Sequence, residues 1–446
     1  MGRRPVVKNP PYGSCEVLSL DQPAQSPRQS PLHVLSRELS PANGSSQTVA
    51  CPTPGISVEG VLSPPSSSED KPPTSPSFVA RDVLNDREVF YLFHWPYMIG
   101  PSFTDRFQAA IRAVSSHAEG MLVEAYDAAL NLWDIKHQRI KSLGEVDVSA
   151  GTDCLRVLQN TTTVRREDAA AIVMAGQILL VYHIVTMCTS AYSILRSALL
   201  AVRPFYEDLL SQPHLDPITI TPIFLDTVES LIHREPPIIR IPTCDRFIVD
   251  RYAGLYWTLL PLLQQLCDCS ARAKASGPWS PSSASDDELD MFADLEHRIR
   301  LWEPRPPPSV FTGYTTREVN AMLLQARVYR TAALLIIHRL RHPLGTRDDE
   351  ALVHANVIIA ELLGFVSWAP DGMRGLPIAL PLLVALLETR SGGGEDVIPE
   401  MGSFAMHPRH ASEFRRFISL VWAAREGGFR GLWFDLATSF QVPIIP

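Results

Sequence analysis

The sequence contains no Cys-x2-Cys pair, no Gly-x-Ser-x-Gly elbow and no His-Glu-x-x-His. It has no Gly-x4-Gly-Lys-Ser/Thr phosphate loop and no Gly-x-Gly-x-x-Gly. These absences remove the local signatures of structural zinc sites, serine hydrolases, zinc proteases, nucleotide-hydrolysing enzymes and dinucleotide-dependent enzymes. There is no excess of basic charge either. Forty Lys and Arg face 48 Asp and Glu, a net charge of −8. A dominant nucleic-acid surface shows as a basic balance, so the body itself is not expected to bind DNA. The seven cysteines (Cys15, Cys51, Cys154, Cys188, Cys244, Cys267 and Cys269) are odd in number and scattered. That usage fits buried thiols in a reducing compartment better than a disulfide framework. The start, Met-Gly-Arg-Arg-Pro, has no apolar run and does not read as a signal peptide, which also weakens the sequons at Asn43 and Asn160.

Aromatic residues are nearly missing from residues 1–80, which hold only Tyr12 and Phe78 beside 14 Pro and 15 Ser. Such a segment cannot bury enough apolar surface to offset the entropy of ordering it. We expect a disordered Ser/Pro-rich arm, balanced in charge, with Ser-Pro sites at Ser26, Ser30, Ser40, Ser63 and Ser75. The rest, residues 81–446, has 46% apolar residues in the whole chain to draw on and is long enough for a sizeable core.

From Arg81 the text is helical throughout. Phe90, Tyr91, Phe93, Trp95 and Tyr97 anchor a first helix. Residues 102–142 read as one or two helices, 165–202 as the most apolar stretch, and 222–235 and 245–273 as further helices. Lys274 to Glu288 reads as a surface loop. Phe292, Leu295, Ile299 and Trp302 step by three or four, one face of a helix that Pro304 to Pro308 stops. Thr315-x-x-Glu318 is a capping box, followed by Val319, Met322, Ala326, Tyr329, Ala333, Ile336 and Leu340 on one stripe. Residues 348–368, 376–390 and 410–426 complete the set. The expected fold is all-α: a layered or superhelical array of antiparallel helices behind the disordered arm.

Each chemically suggestive cluster has a plainer reading. Residues 169–195 are uncharged apart from His183 and long enough to span a bilayer, but Gln177, Thr186, Thr189, Ser190 and Ser193 suit a helix buried in protein. On a helix Cys267 and Cys269 point about 200° apart, which strains joint ligation of one ion. His407-x-x-His410 has no acidic partner nearby, and Gly392 to Gly394 reads as a flexible linker. Arg327, Arg330, Arg339 and Arg341 could form a basic patch, but solvated flanks or intramolecular ion pairs are the default for a helix carrying an apolar stripe. Asp286-Asp287-Glu288 is the nearest approach to the acidic metal motif of a helical cyclase, and reads as loop.

Four segments carry a resemblance. Leu295-Glu-His-Arg-Ile299-x-x-Trp302-x-Pro304 resembles a helix ending of the regulatory domain in fungal zinc-cluster (Zn2Cys6) transcription factors. Ala326-x-x-Tyr329-Arg330-x-Ala332-Ala333-Leu334 is similar to that family's Tyr-Arg-x-Ala-Ala helix. Leu376-Pro377 with Pro381-Leu382-Leu383-Val384-Ala385 is similar to its Pro-Leu-Phe-Ile-Ala-Gly segment, with Leu386 in place of the glycine. Val421-Trp422 sits where the family has a Val-Trp helix. The family-motif residues are thus Ile299, Trp302, Pro304, Tyr329, Arg330, Ala333, Pro381 and Trp422, in order over about 290–436. The resemblance implies an all-α regulatory domain in the nucleus, with no catalytic residue. Its partners would be the transcription machinery or another regulator, and it admits a small-molecule effector and a homodimer. No membrane is implied.

The family's zinc cluster needs six closely spaced cysteines, and residues 1–80 offer two. No metal ligand or DNA-contacting residue is assigned, no cofactor is expected, and zinc would enter only with a cluster encoded upstream. DNA would then be reached indirectly or through residues this chain lacks. Two rivals remain: a zinc-cluster factor truncated at its start, and a helical enzyme. Limited proteolysis should trim residues before Arg81 first; a resistant fragment that retains Ser26 to Ser77 would contradict the expected arm.

Overall fold

The structure, a computed structural model, describes residues 80–115, 119–130, 133–134, 139–140, 149–161, 164–187, 191–242, 246–275, 286–368, 376–389 and 408–440. All of them belong to the compact unit Pro72–Pro446. The expected arm lies outside the described residues except for Ala80, as do Gly392 to Gly394 and His407.

The described residues are all-α. A first group holds α1 (Ala80–Asn85), α2 (Arg87–His94), α3 (Thr104–Ser115), α4 (Glu119–Leu130), α5 (Ser149–Asn160), α6 (Ala169–Met187), α7 (Tyr192–Val202), α8 (Tyr206–Leu210) and α9 (Asp216–His233). A second holds α10 (Leu260–Ala275), α11 (Asp286–Leu301), α12 (Pro308–Gly313), α13 (Thr316–Arg341), α14 (Asp348–Trp368), α15 (Ala379–Leu386), α16 (Pro408–Glu426) and α17 (Trp433–Phe440). The β structure described is one two-residue antiparallel pairing, Trp133–Asp134 with Arg139–Ile140.

Two helices organise the core. Residues 216–232 of α9 are buried on every side, and α9 packs against α3, α6, α7, α8, α10 and α17. α13 packs against α10, α11, α12, α14 and α15. Their interiors meet in an aromatic cluster: Tyr329 of α13 stacks on Tyr256 at 5.0 Å and meets Phe224 of α9 edge-on at 5.4 Å. α6 is long and apolar enough to cross a membrane by length and composition, but 78% of that window is buried inside the protein. Its residues 169–180 are all buried.

Several boundaries differ from the sequence expectation. The helix expected from Pro222 starts earlier, at Asp216, with Pro217 in its first turn and Pro222 internal. A proline in a helix removes one N–H and crowds the carbonyl four residues back, which is why a helix start seemed natural there. Residues 246–259 are not helical apart from one short turn at Tyr256–Thr258; a buried loop runs there, and α10 begins at Leu260. The Asp286 to Glu288 segment opens α11 rather than lying in a loop. Acidic residues suit that first turn through the helix dipole.

The capping box on α13 is present: the Thr315 hydroxyl accepts from the Glu318 amide, and Glu318 accepts from the Thr315 amide at 2.8 Å. Glu318 does more, because its two oxygens also accept from the Ser102 amide (2.9 Å) and hydroxyl (2.7 Å). Gly100 leaves room for this carboxylate, since a Cβ there would fall 2.1 Å from Glu318 Oε1.

Tyr329 is 1% exposed, whereas Trp302 is only half-buried, with its indole N–H on Thr258 Oγ1 at 3.1 Å. Both lie on the apolar stripes read from the sequence and would be core anchors by that reading, but Trp302 falls one residue past the end of α11. Tyr329→Ala should cost on the order of 3 kcal/mol and Trp302→Ala clearly less. Chemical denaturation of both variants checks this, and an equal loss would contradict the difference in burial.

Candidate functional site

Pro222 is the origin of the most polar feature in the core. It cannot donate to Ile218 O, four residues back. A buried carbonyl left without a donor is costly, so another group must reach it. Gln177 of α6 does so, donating from Nε2 at 3.0 Å. The neighbouring carbonyls also take donors from outside the helix: Arg251 Nε reaches Pro217 O at 3.0 Å, and the Tyr206 hydroxyl reaches Thr219 O at 2.7 Å. Three successive carbonyls of α9 are thus served by side chains from three other segments.

Gln177 and Arg251 are themselves joined, Arg251 donating to Gln177 Oε1 at 2.9 Å. A third bond runs from Arg251 to Tyr97 O at 2.7 Å, and the Phe107 ring covers the guanidinium at 4.0 Å. All three acceptors are neutral. Of the five N–H groups of an arginine, two therefore have no acceptor among the described residues. Burial lowers the Arg251 pKa from its ordinary value, with Asp250 acting to raise it. Asp250 makes no hydrogen bond to Arg251. Its Oδ1 accepts from the Thr221 hydroxyl (3.0 Å) and from the amides of Tyr252 (2.9 Å) and Ala253 (2.7 Å), while its buried Oδ2 has no hydrogen-bond partner among the described residues.

The loop carrying these residues is fixed at both ends of its turn. The amides and carbonyls of Asp250 and Gly254 pair with each other, and the Ile99 amide donates to Arg251 O at 2.8 Å. Gly254 has φ +61 and would place a Cβ 2.4 Å from Gln325 Oε1, so both conformation and space demand glycine. From α13, Gln325 donates to Tyr252 O at 2.9 Å.

Arg251, Gln177, Thr221 and His94 line a cavity of about 50 Å³ whose remaining wall is mostly apolar, with Phe93, Ala129, Met174, Ile178, Leu180 and Leu225. His94 is 3% exposed and shares a 2.8 Å hydrogen bond between Nε2 and the Tyr126 hydroxyl. Burial, with Arg251 adding, holds its pKa well below the ordinary 6.5, so the ring is neutral. The arrangement can hold a small polar or anionic group against an apolar wall. Among the described residues no group of three or more His, Cys, Asp or Glu could hold a metal ion. Cys267 faces Thr227 O and Cys269 faces Arg272, consistent with their divergence on the helix.

The family-motif residues lie elsewhere, and none lines this cavity. Several of them act at helix ends. Arg330 donates to the carbonyls of Ile299 (3.2 Å) and Arg300, the last turn of α11, just before Pro304. Ala333 is buried on α13. Pro381 sits in the first turn of α15, where a missing N–H costs nothing. Trp422 donates to Leu386 O at 3.2 Å, and Arg425 to Leu387 O at 2.8 Å, at the other end of α15. Arg327, Arg330, Arg339 and Arg341 of α13 form no open basic patch. Arg327 pairs with Glu361 and Arg341 with Glu296, both at 2.8 Å. Arg339, 1% exposed, binds Glu388 and Asp348, which Arg425 also contacts.

Sequence reasoning missed Arg251, Gln177 and His94. The usable signal was a charged pair, Asp250-Arg251, inside apolar text, together with a proline inside a helical stretch. Comparison with protein-family models, curated proteins and solved structures gives no match.

A histidine whose folded pKa lies below its unfolded value contributes stability that is present above about pH 6.5 and is lost as pH falls. Asp226, fully buried on α9 and pushed up to about 6 by burial, works in the opposite direction: its contribution is present at low pH and is lost as pH rises through 6. Comparison with a variant separates the two. From pH 7 to pH 5 the melting temperature of His94→Gln should fall less than that of the unchanged chain; parallel curves would show that His94 takes up its proton in the folded state.

Proposed function

We propose that the chain is a nuclear regulatory protein that modulates transcription by binding a protein partner or a small effector and carries out no chemistry of its own. The observation that supports this most is the way the four family-like segments work together. Arg330 of the second caps the helix of the first, and Trp422 of the fourth caps the helix of the third. The resemblance therefore rests on residues with mutually dependent structural roles, in addition to their order in the sequence. The cavity beside Arg251 supports the effector half of the reading, since small-molecule sites are concave, mostly apolar and set with few polar groups. A route to DNA would run through a partner, because the net charge of −8 gives phosphate little attraction.

The test is a tethering experiment. The full chain, fused to an unrelated DNA-binding domain, should change the output of a reporter carrying that domain's site, and the untethered chain should concentrate in nuclei. A reporter unchanged under every condition, with the fusion protein present and folded, would remove the regulatory reading.

A further inference from the structure

We propose that the cavity beside Arg251 is a binding site for a small organic monoanion, a carboxylate of two to four carbons, whose charge meets the guanidinium and whose alkyl end meets the apolar wall. This rests on the effector half of the function proposed above and names the ligand class.

Four observations converge. Arg251 lines the cavity and is 4% exposed, yet its three hydrogen bonds all go to neutral oxygens. A guanidinium presents a planar fork that suits a carboxylate, and charge-assisted bonds of this kind are about twice as strong as neutral ones. The adjacent carboxylate acts on Arg251 through space but makes no hydrogen bond to it, since the Oδ1 of Asp250 is taken by Thr221 and two backbone amides. The other polar residues at the wall bring no carboxylate: His94 is neutral, and the rest are Gln177, Thr221, Tyr97, Tyr182 and Tyr252.

Size and wall chemistry narrow the ligand. A water molecule needs roughly 10–15 Å³ of such space, so about 50 Å³ takes on the order of four heavy atoms without rearrangement. That suits the carboxylate end of a short-chain acid. Phe93, Ala129, Met174, Ile178, Leu180 and Leu225 offer an alkyl chain apolar contact and no further hydrogen bonds. An inorganic anion would leave that part of the wall unused.

The experiment uses the full chain, with acetate, propionate, butyrate and the neutral isostere propionamide as probes, read by titration calorimetry and by melting temperature. At least one acid should bind at one site per chain and raise the melting temperature with the logarithm of its concentration, while propionamide should not. Ala129→Leu fills the cavity and leaves Arg251 in place, so it should bind at least about tenfold more weakly. If that variant fails to fold, Val181→Phe, at a half-buried position on the cavity edge, serves the same purpose. The proposal is overturned if no acid binds, if propionamide matches propionate, or if the folded filled variant binds as well as the unchanged chain. Acid binding with an unresponsive tethered reporter would sink the regulatory reading and keep the site. A responsive reporter without acid binding would do the reverse.

Discussion

A helix buried on every side has no water to satisfy a broken backbone bond, and α9 contains a proline. The interior of the protein is arranged around that constraint. Pro222 removes the donor for Ile218 O, Gln177 replaces it from α6, and Gln177 is in turn held by Arg251. Arg251 brings with it a loop that would ordinarily lie at the surface, because its own backbone must then be satisfied inside. Ile99, Asp250, Gly254 and Gln325 supply those bonds. One missing hydrogen thus accounts for a glutamine in an apolar helix, an arginine in the core and a buried loop between α9 and α10. The cavity lies beside this group because side chains that reach carbonyls cannot also close-pack against one another.

The second group of helices meets a different constraint with the same means. The ends of α11 and α15 lie against α13 and α16, where their last carbonyls need donors. Arg330, Trp422 and Arg425 provide them from neighbouring helices. Arg339, Arg425, Glu388 and Asp348 then form a network joining α13, α14, α16 and the segment just after α15. A buried pair of this kind adds little net stability over apolar packing, but loss of a single member strands a charge. Its effect is to fix which helix ends meet.

Features set by local chemistry were legible in the sequence, and those set by long-range packing were not. The capping box of α13, its stripe through Leu340 and the span 348–368 follow from spacing alone. The stripe placed Tyr329 in the core correctly, but it could not show that Trp302 stands past the helix end and half in solvent. Pro222 read as a helix start because its compensation, Gln177, is 45 residues away and uncharged in an apolar run. His94 lies between Phe93 and Trp95 with no motif to mark it, and only its neighbour Tyr126 and the cavity distinguish it. The arginines of α13 carried no sequence sign of which would be buried; that depended on Glu388 and Asp348, set by packing between helices.

Glu318 has a consequence in time. Its carboxylate caps α13 and also holds the Ser102 amide and hydroxyl, 216 positions earlier. The bond from Arg251 to Tyr97 O spans 154. At roughly 5–20 residues per second, a ribosome needs on the order of 10–40 s to add the residues that separate Ser102 from its acceptor. Throughout that interval the segment around Ser102 has been made but cannot reach its final hydrogen bonds. The beginning of this body is therefore completed by its middle, only after residue 318 has been added.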